Sequence, residues 1–446
     1  MTDQKNGTSR RAFLRGSAAA VAGGVAGTAA SANGPDPLIT ELQDWASYTG
    51  AGVDETPYGM PISFESHVVR RNVEWLTASP ISSINFTPIH ALDGTITPQG
   101  CAFERHHSGA IELRKEDYRL MINGLVDRPL VFTYDDIERF PRENHVYFCE
   151  CAANTGMEWA GAQLNGVQFT HGMIHNMEYT GVPLRTLLQE AGADISPDKW
   201  VYVEGADASS NGRSIPMEKA LDDVLVAFKA NGEALRMEHG YPVRLVVPGW
   251  EGNMWVKWLR RIEVVDTAVE SREETSKYTD VYEDGTARKW TWVMDAKSVI
   301  TAPSPQMPIK HGPGPMVISG LAWSGHGQIT RVDVSKNGGV TWETARLGKQ
   351  GDTKALTRFY LDTIWDGAPM LLQARAMDDT GYVQPTKEQL REQRGENAVY
   401  HNNCIQTWYV IPYARPRSSA VPLRAGTKML GDFDILGDPF CVHVPS

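Results

Sequence analysis

The sequence predicts an α+β protein in two parts: a mixed α+β domain over residues 61–296 and an all-β sandwich over residues 297–412. Three observations predict it. Strand-like apolar runs alternate with two short helix patterns between Tyr118 and Leu259. Five prolines (Pro303, Pro305, Pro308, Pro313, Pro315) then crowd a connector. Beyond it, short alternating runs recur, as at Ile329–Ser335 and Val340–Leu347 around the turn residues Asn337-Gly338-Gly339. The 446 residues suffice for more than one core, and 41% hydrophobic with 22% charged content is that of a globular chain rather than a disordered one.

The first segment reads as processing signal rather than fold. Ser9-Arg10-Arg11-Ala12-Phe13-Leu14-Arg15 precedes a weakly apolar Ala/Gly/Val run, and Ala30-Ser31-Ala32 offers a small-residue cleavage site. Residues 1–32 thus resemble a twin-arginine signal, the route by which folded, cofactor-loaded proteins reach the periplasm. The run is too poor in large apolar residues to anchor in a membrane. Its removal takes four basic residues and one acidic residue and leaves a net charge of −14. That balance argues against a nucleic-acid partner and suits a basic protein. Residues 33–60, rich in Gly, Pro, Ser and acidic residues, read as an extended lead-in.

Five cysteines (Cys101, Cys149, Cys151, Cys404, Cys441) are few and odd in number for an exported chain, so a dense disulfide framework is not expected. The sequence contains neither a Cys-x-x-Cys-His haem attachment motif nor a four-cysteine cluster, so no haem is expected in this chain.

The chemistry centres on Val146–Gly156. A β-branched and aromatic run ends in two cysteines one residue apart and turns through Asn154 and Gly156. A thiolate at a strand end beside small residues suits a soft metal, and Cys151 is the expected ligand. For Cys149, a second ligand or redox switch competes with a buried packing residue. Upstream, Phe103-Glu104-Arg105-His106-His107 could bind metal, donate hydrogen bonds to an anion, or form a solvated loop. Tyr118–Tyr134 reads as strands joined by a tight turn at Asn123-Gly124. Leu184, Leu187, Leu188 and Ala191 share a helix face that Pro183 opens and Gly192 ends, and a second helix begins near Pro216. Trp200–Val203, Val224–Phe228 and Val243–Val247 read as strands. His239, Arg244 and Lys257 flank apolar Val and Trp residues with no adjacent run of carboxylates, and an external phosphate would satisfy such buried cations.

Taken together, these motifs resemble the molybdopterin-binding domain of the sulfite oxidase family. The residues that carry the resemblance are Cys151-Ala152-Ala153-Asn154 (Cys-Ala-Gly-Asn in the family), Phe103 with Arg105 and His107, Glu204-Gly205 with Asp207, Ser214-Ile215-Pro216, His239-Gly240 with Pro242-Val243-Arg244, and Val256-Lys257-Trp258-Leu259. Gly320–Gly325, Asp378–Pro385 and Tyr400-His401-Asn402-Asn403 are similar to the family's immunoglobulin-like dimerisation domain. More narrowly, these motifs resemble those of the molybdenum subunits of Sox sulfur-oxidation systems. The tail at 413–446, including Cys441, matches nothing expected and is given no role.

The resemblance implies molybdenum held by one molybdopterin (a pyranopterin dithiolene) and by Cys151. Phe103, Arg105, His107, Asp207, His239, Arg244 and Lys257 would line the pterin and its phosphate, with Trp255 and Val256 supplying backbone. Cys151, Arg105, Tyr278 and Arg394 would serve catalysis, Arg394 through the family's Arg-Gly motif with Gly395. One departure bears on substrate: where animal-type enzymes carry an arginine pair after the cysteine motif, this chain has Thr155 and Gly156. A lost cation disfavours the free sulfite dianion and favours sulfane sulfur on a carrier protein. The implied partners are a dihaem c-type cytochrome and a second copy of the chain within a heterotetramer. Free sulfite oxidation, the reverse reduction of a sulfoxide, and a metal-free binding or scaffold protein are the alternatives.

Overall fold

Two five-stranded sheets frame the first domain. Arg119–Gly124 (β1) and Leu130–Thr133 (β2) pair antiparallel, and burial alternates along β1, with Leu120 and Ile122 inward, as a half-covered strand requires. Thr133 then caps the helix Tyr134–Glu138 (α1): its hydroxyl accepts the Asp136 N–H, while the Asp136 carboxylate takes the Thr133 N–H. Glu143–Glu150 (β3) leads to the cysteine loop and to the short helix Val167–His171 (α2). Ile174–Pro183 (β4) returns alongside it and runs into the helix Leu184–Ala191 (α3), whose four expected apolar residues are buried. Pro183 occupies the N-cap, and Gly192 ends the helix at φ +63°, a conformation glycine adopts freely.

Trp200–Gly205 (β5), Gly212–Pro216 (β6), the helix Met217–Asp222 (α4), Leu225–Ala230 (β7), Glu233–Ala234 (β8), Arg244–Val246 (β9) and Leu259–Val265 (β10) complete the domain. One sheet runs β8-β7-β4-β3 with β9 also on β7. The other runs β2-β1-β10-β5-β6 and contains the parallel pair β1–β10. This computed structural model describes residues 59–73, 80–161, 166–275, 277–411 and the backbone of 441–444. The export signal and nearly all of the lead-in lie outside the described residues.

The second domain packs two antiparallel sheets: Lys297–Ala302 (β11), Gly314–Trp323 (β12), Thr357–Trp365 (β16) and Arg346–Leu347 (β15), against Glu343–Thr344 (β14), Ile329–Ser335 (β13), Met370–Asp378 (β17), Thr407–Val410 (β18) and Cys441–Val444 (β19). The expected strand Val340–Leu347 divides into β14 and β15, which belong to different sheets. Ala345 between them donates its N–H to Val332, so the chain changes sheet there. The turn before it has Gly338 and Gly339 at positive φ. Unforeseen was the helix Lys387–Arg394 (α5), opened by a capping box of Thr386 and Gln389. Part of the tail also gains a place, since β19 extends a sheet by pairing with β18. Ile89, Phe148, Val167 and Ile174 of the first domain belong to the second domain's apolar core, so the domains share a buried seam.

Candidate functional site

The cysteine loop begins where β3 ends. Cys151 donates its N–H to the Met173 carbonyl (3.0 Å), and the chain turns through Asn154 N–H to Cys151 O and Gly156 N–H to Ala153 O, both 2.8 Å. Thr155 sits at φ +68°, a conformation that costs a β-branched residue and needs support. Support comes from the second domain. His401 donates its backbone N–H to Ala152 O (2.8 Å), and the Asn402 amide donates to Thr155 O (3.3 Å). His401 is itself held by its imidazole Nε2 at 2.8 Å from Glu251.

Beneath the loop lies a buried ion pair. Lys297 Nζ is 2.8 Å from Glu150 Oε1, while Asn154 Nδ2 (2.9 Å) and Trp323 Nε1 (2.6 Å) donate to the same carboxylate. Gly252 passes so close that a Cβ there would lie 3.0 Å from Glu150 O and 3.2 Å from Cys149 Sγ.

Above the loop opens a cavity. Phe103, Arg105, His107, Cys151, Asp207, His239, Arg244, Trp255, Lys257 and Tyr278 all border it, so most of the residues singled out by motif converge on one space. Burial pushes the Cys151 thiol up to about 11, against the pull of the Ala153 N–H and Arg105, so the group is a neutral thiol until a cation displaces its proton. Among the described residues, no three His, Cys, Asp or Glu side chains gather to hold a metal ion. A metal on Cys151 therefore needs further ligands that arrive with it.

On one side of the cavity, Arg244 spends its donors on the carbonyls of His239 and Trp255, both at 3.1 Å, and Lys257 reaches Glu238 O and His106 Nδ1 at 2.9 Å. Burial, with Arg244 nearby, pulls Lys257 down to about 7. Both histidines border the cavity, but His106 is buried and passes the chain on to Glu104, whereas His107 is exposed. The two adjacent histidines therefore do different work.

Two expected contributors stand off the cavity wall. Arg394 is fully buried between Asp295 (2.9 Å) and Asp280 (3.6 Å), which neutralise its charge where an anion clamp would need it free. Val256 already commits its N–H to Met254 and its C=O to Leu245. Trp255 borders the cavity, but its backbone N–H and C=O are also engaged.

Among the lining residues that escaped the motif reading are His175, Arg213 and Asn253, while Cys149, read as ligand, redox switch or packing residue, also borders the cavity. His175 pairs with Cys149 across β3 and β4, and its Nε2 lies 2.9 Å from the Tyr179 hydroxyl. Its signal was a polar His-Asn pair inside the apolar run Met173–Met177. Arg213 precedes Ser-Ile-Pro in a strand whose other members are nearly all buried, an odd place for a cation.

The donor set suits a ligand that is polar, heteroaromatic and anionic at one end. His175 Nδ1, His239 Nδ1 and Asn253 Nδ2 are buried and have no hydrogen-bond partner in the structure. Burial holds both imidazoles far below their usual range, so each is neutral. The Phe103 carbonyl, 3.3 Å from His239 Nε2, can only accept, so Nε2 carries the proton and Nδ1 offers a lone pair. Among the described residues, none of Arg105, Arg213, Arg244 and Lys257 forms an ion pair with a carboxylate; their hydrogen-bond partners are mainly carbonyls. A pterin with its phosphate meets both needs.

Comparison with known proteins gives the following. Residues 107–273 match the oxidoreductase molybdopterin binding domain, and residues 288–408 match the Mo-co oxidoreductase dimerisation domain. Sulfite oxidase of Gallus gallus is 32% identical over 317 residues, covering 65% of this chain and 68% of that protein. Mitochondrial sulfite oxidase of Mus musculus is 32% identical over 324 residues, and the chain spans only 58% of it. The crystal structure of the sulfane dehydrogenase SoxCD from Paracoccus pantotrophus superposes with a TM-score of 0.82 at 73% identity, covering 85% of this chain and 97% of that one.

Proposed function

The chain belongs to the sulfite oxidase family and is a molybdenum oxidoreductase of sulfur compounds; on that premise we propose that it acts in the periplasm on sulfane sulfur bound to a carrier and delivers electrons to a c-type cytochrome. The observation that carries the choice of donor is the 73% identity to a sulfane dehydrogenase over 97% of that chain. Each oxygen added to a persulfide takes one water and releases two protons and two electrons: R–S–S⁻ + H₂O → R–S–SO⁻ + 2H⁺ + 2e⁻. A one-electron haem acceptor must then be met twice. The proposed partner is a dihaem c-type cytochrome in a heterotetramer built on the dimerisation domain, and the proposed route to the periplasm is export by the twin-arginine signal.

In this reading Cys151 is the protein's ligand to molybdenum. Phe103, Arg105, His107, Asp207, His239, Arg244 and Lys257 hold the molybdopterin, with Arg244 and Lys257 nearest in character to a phosphate clamp. When bound, the molybdenum cofactor supplies the two-electron oxygen-transfer chemistry. The chain's part is positional and electrostatic. Glu150, Asn154 and the 401–402 strap fix the loop that carries Cys151. Tyr278, raised by burial and by the neighbouring Cys151, stays a phenol and offers a hydrogen bond to an anionic donor. Arg105 adds positive charge at the cavity wall.

The Thr155–Gly156 turn also favours a carrier-bound donor. Thr155 is buried, and a Cβ on Gly156 would lie 3.2 Å from Val399 O, so no long cationic side chain reaches out from this turn. Steady-state kinetics on the purified molybdenum protein test the proposal. Carrier-bound persulfide should give the higher kcat/KM, and micromolar free sulfite as the preferred donor would refute it in favour of a sulfite:cytochrome c oxidoreductase.

A further inference from the structure

Arg213 is the first strand residue after Gly212 in β6 and is 2% exposed, yet no carboxylate among the described residues forms an ion pair with it. Its Nη1 donates to the Gly212 carbonyl (2.8 Å), its Nε reaches Asn253 Oδ1 (3.4 Å), and its guanidinium carbon lies 5.3 Å from the centre of the Tyr278 ring. Tyr278 also stacks on Tyr400, with ring centres 4.7 Å apart. Arg272 holds Glu273 Oε1, and the buried second oxygen of Glu273 feels the Arg213 charge without forming an ion pair with it. A guanidinium this deep with only neutral partners is costly unless an anion completes its surroundings.

The cavity's cations form two groups. Arg244 and Lys257 act on the His175, His239 and Cys149 side, whereas Arg213 and Arg105 both act on His107, and Arg213 lies on Tyr278, which itself feels Cys151. The first group suits the cofactor phosphate. The second shares the cavity wall with Tyr278 and Cys151.

We propose that Arg213 is a specificity-determining residue that receives the anionic sulfur group of the donor from β6. The inference rests on the molybdenum-enzyme reading above and sharpens it. The site is selective for an anionic sulfur terminus, a persulfide or an oxygenated sulfur anion, over a neutral thioether or sulfoxide. Placing the cation on a β-strand rather than on the loop leaves the loop free to hold Cys151, and the Tyr278 ring and the Asn253 amide fix the direction of the guanidinium.

The test uses the full-length, molybdenum-loaded protein and the variants Arg213→Met and Arg213→Lys. Calorimetry reads the affinity for sulfate as an anion probe, sulfite oxidation with ferricyanide as acceptor reads KM, and molybdenum and pterin are measured per chain. Arg213→Met should weaken sulfate binding and raise the sulfite KM at least tenfold, more than it lowers kcat, with cofactor content at the parent level. Arg213→Lys, which keeps the charge without the planar fork, should recover part of the loss. Sulfate affinity and KM within twofold of the parent in Arg213→Met would overturn the proposal. Loss of cofactor from both variants, at parental circular dichroism, would overturn it too and reassign the guanidinium to the cofactor phosphate. A parent protein that purifies without molybdenum would instead overturn the functional reading on which the proposal rests.

Discussion

Replacing Lys297 with Met probes the link between the two domains and the cysteine loop. The substitution keeps the length of the apolar stem and removes a charge 2.8 Å from Glu150 Oε1, where the lysine and glutamate side chains are 2% and 0% exposed. Breaking a buried pair by removing one partner costs about 3–5 kcal/mol, because the other charge is left without compensation. Asn154 Nδ2 and Trp323 Nε1 still donate to that carboxylate, at 2.9 and 2.6 Å, so the low end, about 3 kcal/mol, is expected. At about 2 °C of melting temperature per kcal/mol for a large domain, the variant should melt about 6 °C below the parent. The double variant Glu150→Gln with Lys297→Met removes both charges and should regain most of the loss, since neutral groups of similar shape carry little desolvation penalty. Urea melts followed by circular dichroism, alongside molybdenum per chain, measure both effects. A single variant less than about 1 kcal/mol below the parent, or a double variant worse than the single, would refute the reasoning.

Other outcomes follow from the same geometry. Cys151→Ser should fold and lose turnover, because a hydroxyl does not replace a thiolate as a soft ligand; near-normal activity in the folded variant would remove Cys151 from the metal. Arg394→Met should destabilise by about 3 kcal/mol, by stranding Asp280 and leaving Asp295 with His326 alone, and leave sulfate affinity at the parent value, which separates an ion-pair anchor from an anion clamp. Lys257 has a folded pKa lowered to about 7 by burial, with Arg244 adding to the effect, so between pH 7 and 10 the unfolded chain binds more protons. Cofactor-free protein should therefore gain stability as pH rises through that window, by roughly 1–3 kcal/mol after allowance for partial exposure. Bound phosphate would raise the lysine's pKa and flatten the curve, and urea melts at several pH values read the difference.

How much of the site could be read in the sequence depended on how local its parts are. The cysteine loop, the Phe103–His107 segment and the His239–Lys257 run are short motifs whose residues converge on the cavity together. Arg213 and His175 could not be read that way. One takes its meaning from Tyr278 and Asn253, the other from Phe103 and His239, all brought in from distant segments. Arg394 shows the converse: its Arg-Gly dipeptide was legible, while Asp280 and Asp295, which absorb its charge, come from elsewhere in the chain. Similarly, alternation suggested one strand at Val340–Leu347, but period-2 patterning cannot say that the pair on either side of Ala345 serves two sheets.

The seam between the domains argues against treating the first as a catalytic unit and the second as a mere dimerisation module. Phe148 and Val146, on the strand that delivers Cys151, donate backbone N–H groups to Lys354 O (3.0 Å) and Asp352 Oδ2 (2.7 Å) of the second domain. Arg358 donates to Leu92 O and Gly94 O at 2.7 and 3.1 Å, and the Asn176 side chain accepts the Leu356 N–H at 3.2 Å. Lys297, Trp323, His401 and Asn402 then hold the cysteine loop itself. Cutting the chain after residue 296 would strand Glu150 as a buried, unpaired carboxylate, expose Phe148 and Ile174, and remove the support that keeps Thr155 at positive φ. Residues 61–296 made alone should therefore aggregate or fold without gripping molybdenum. A soluble fragment that binds the metal cofactor as tightly as the full chain would show that the second domain does not help to build the site.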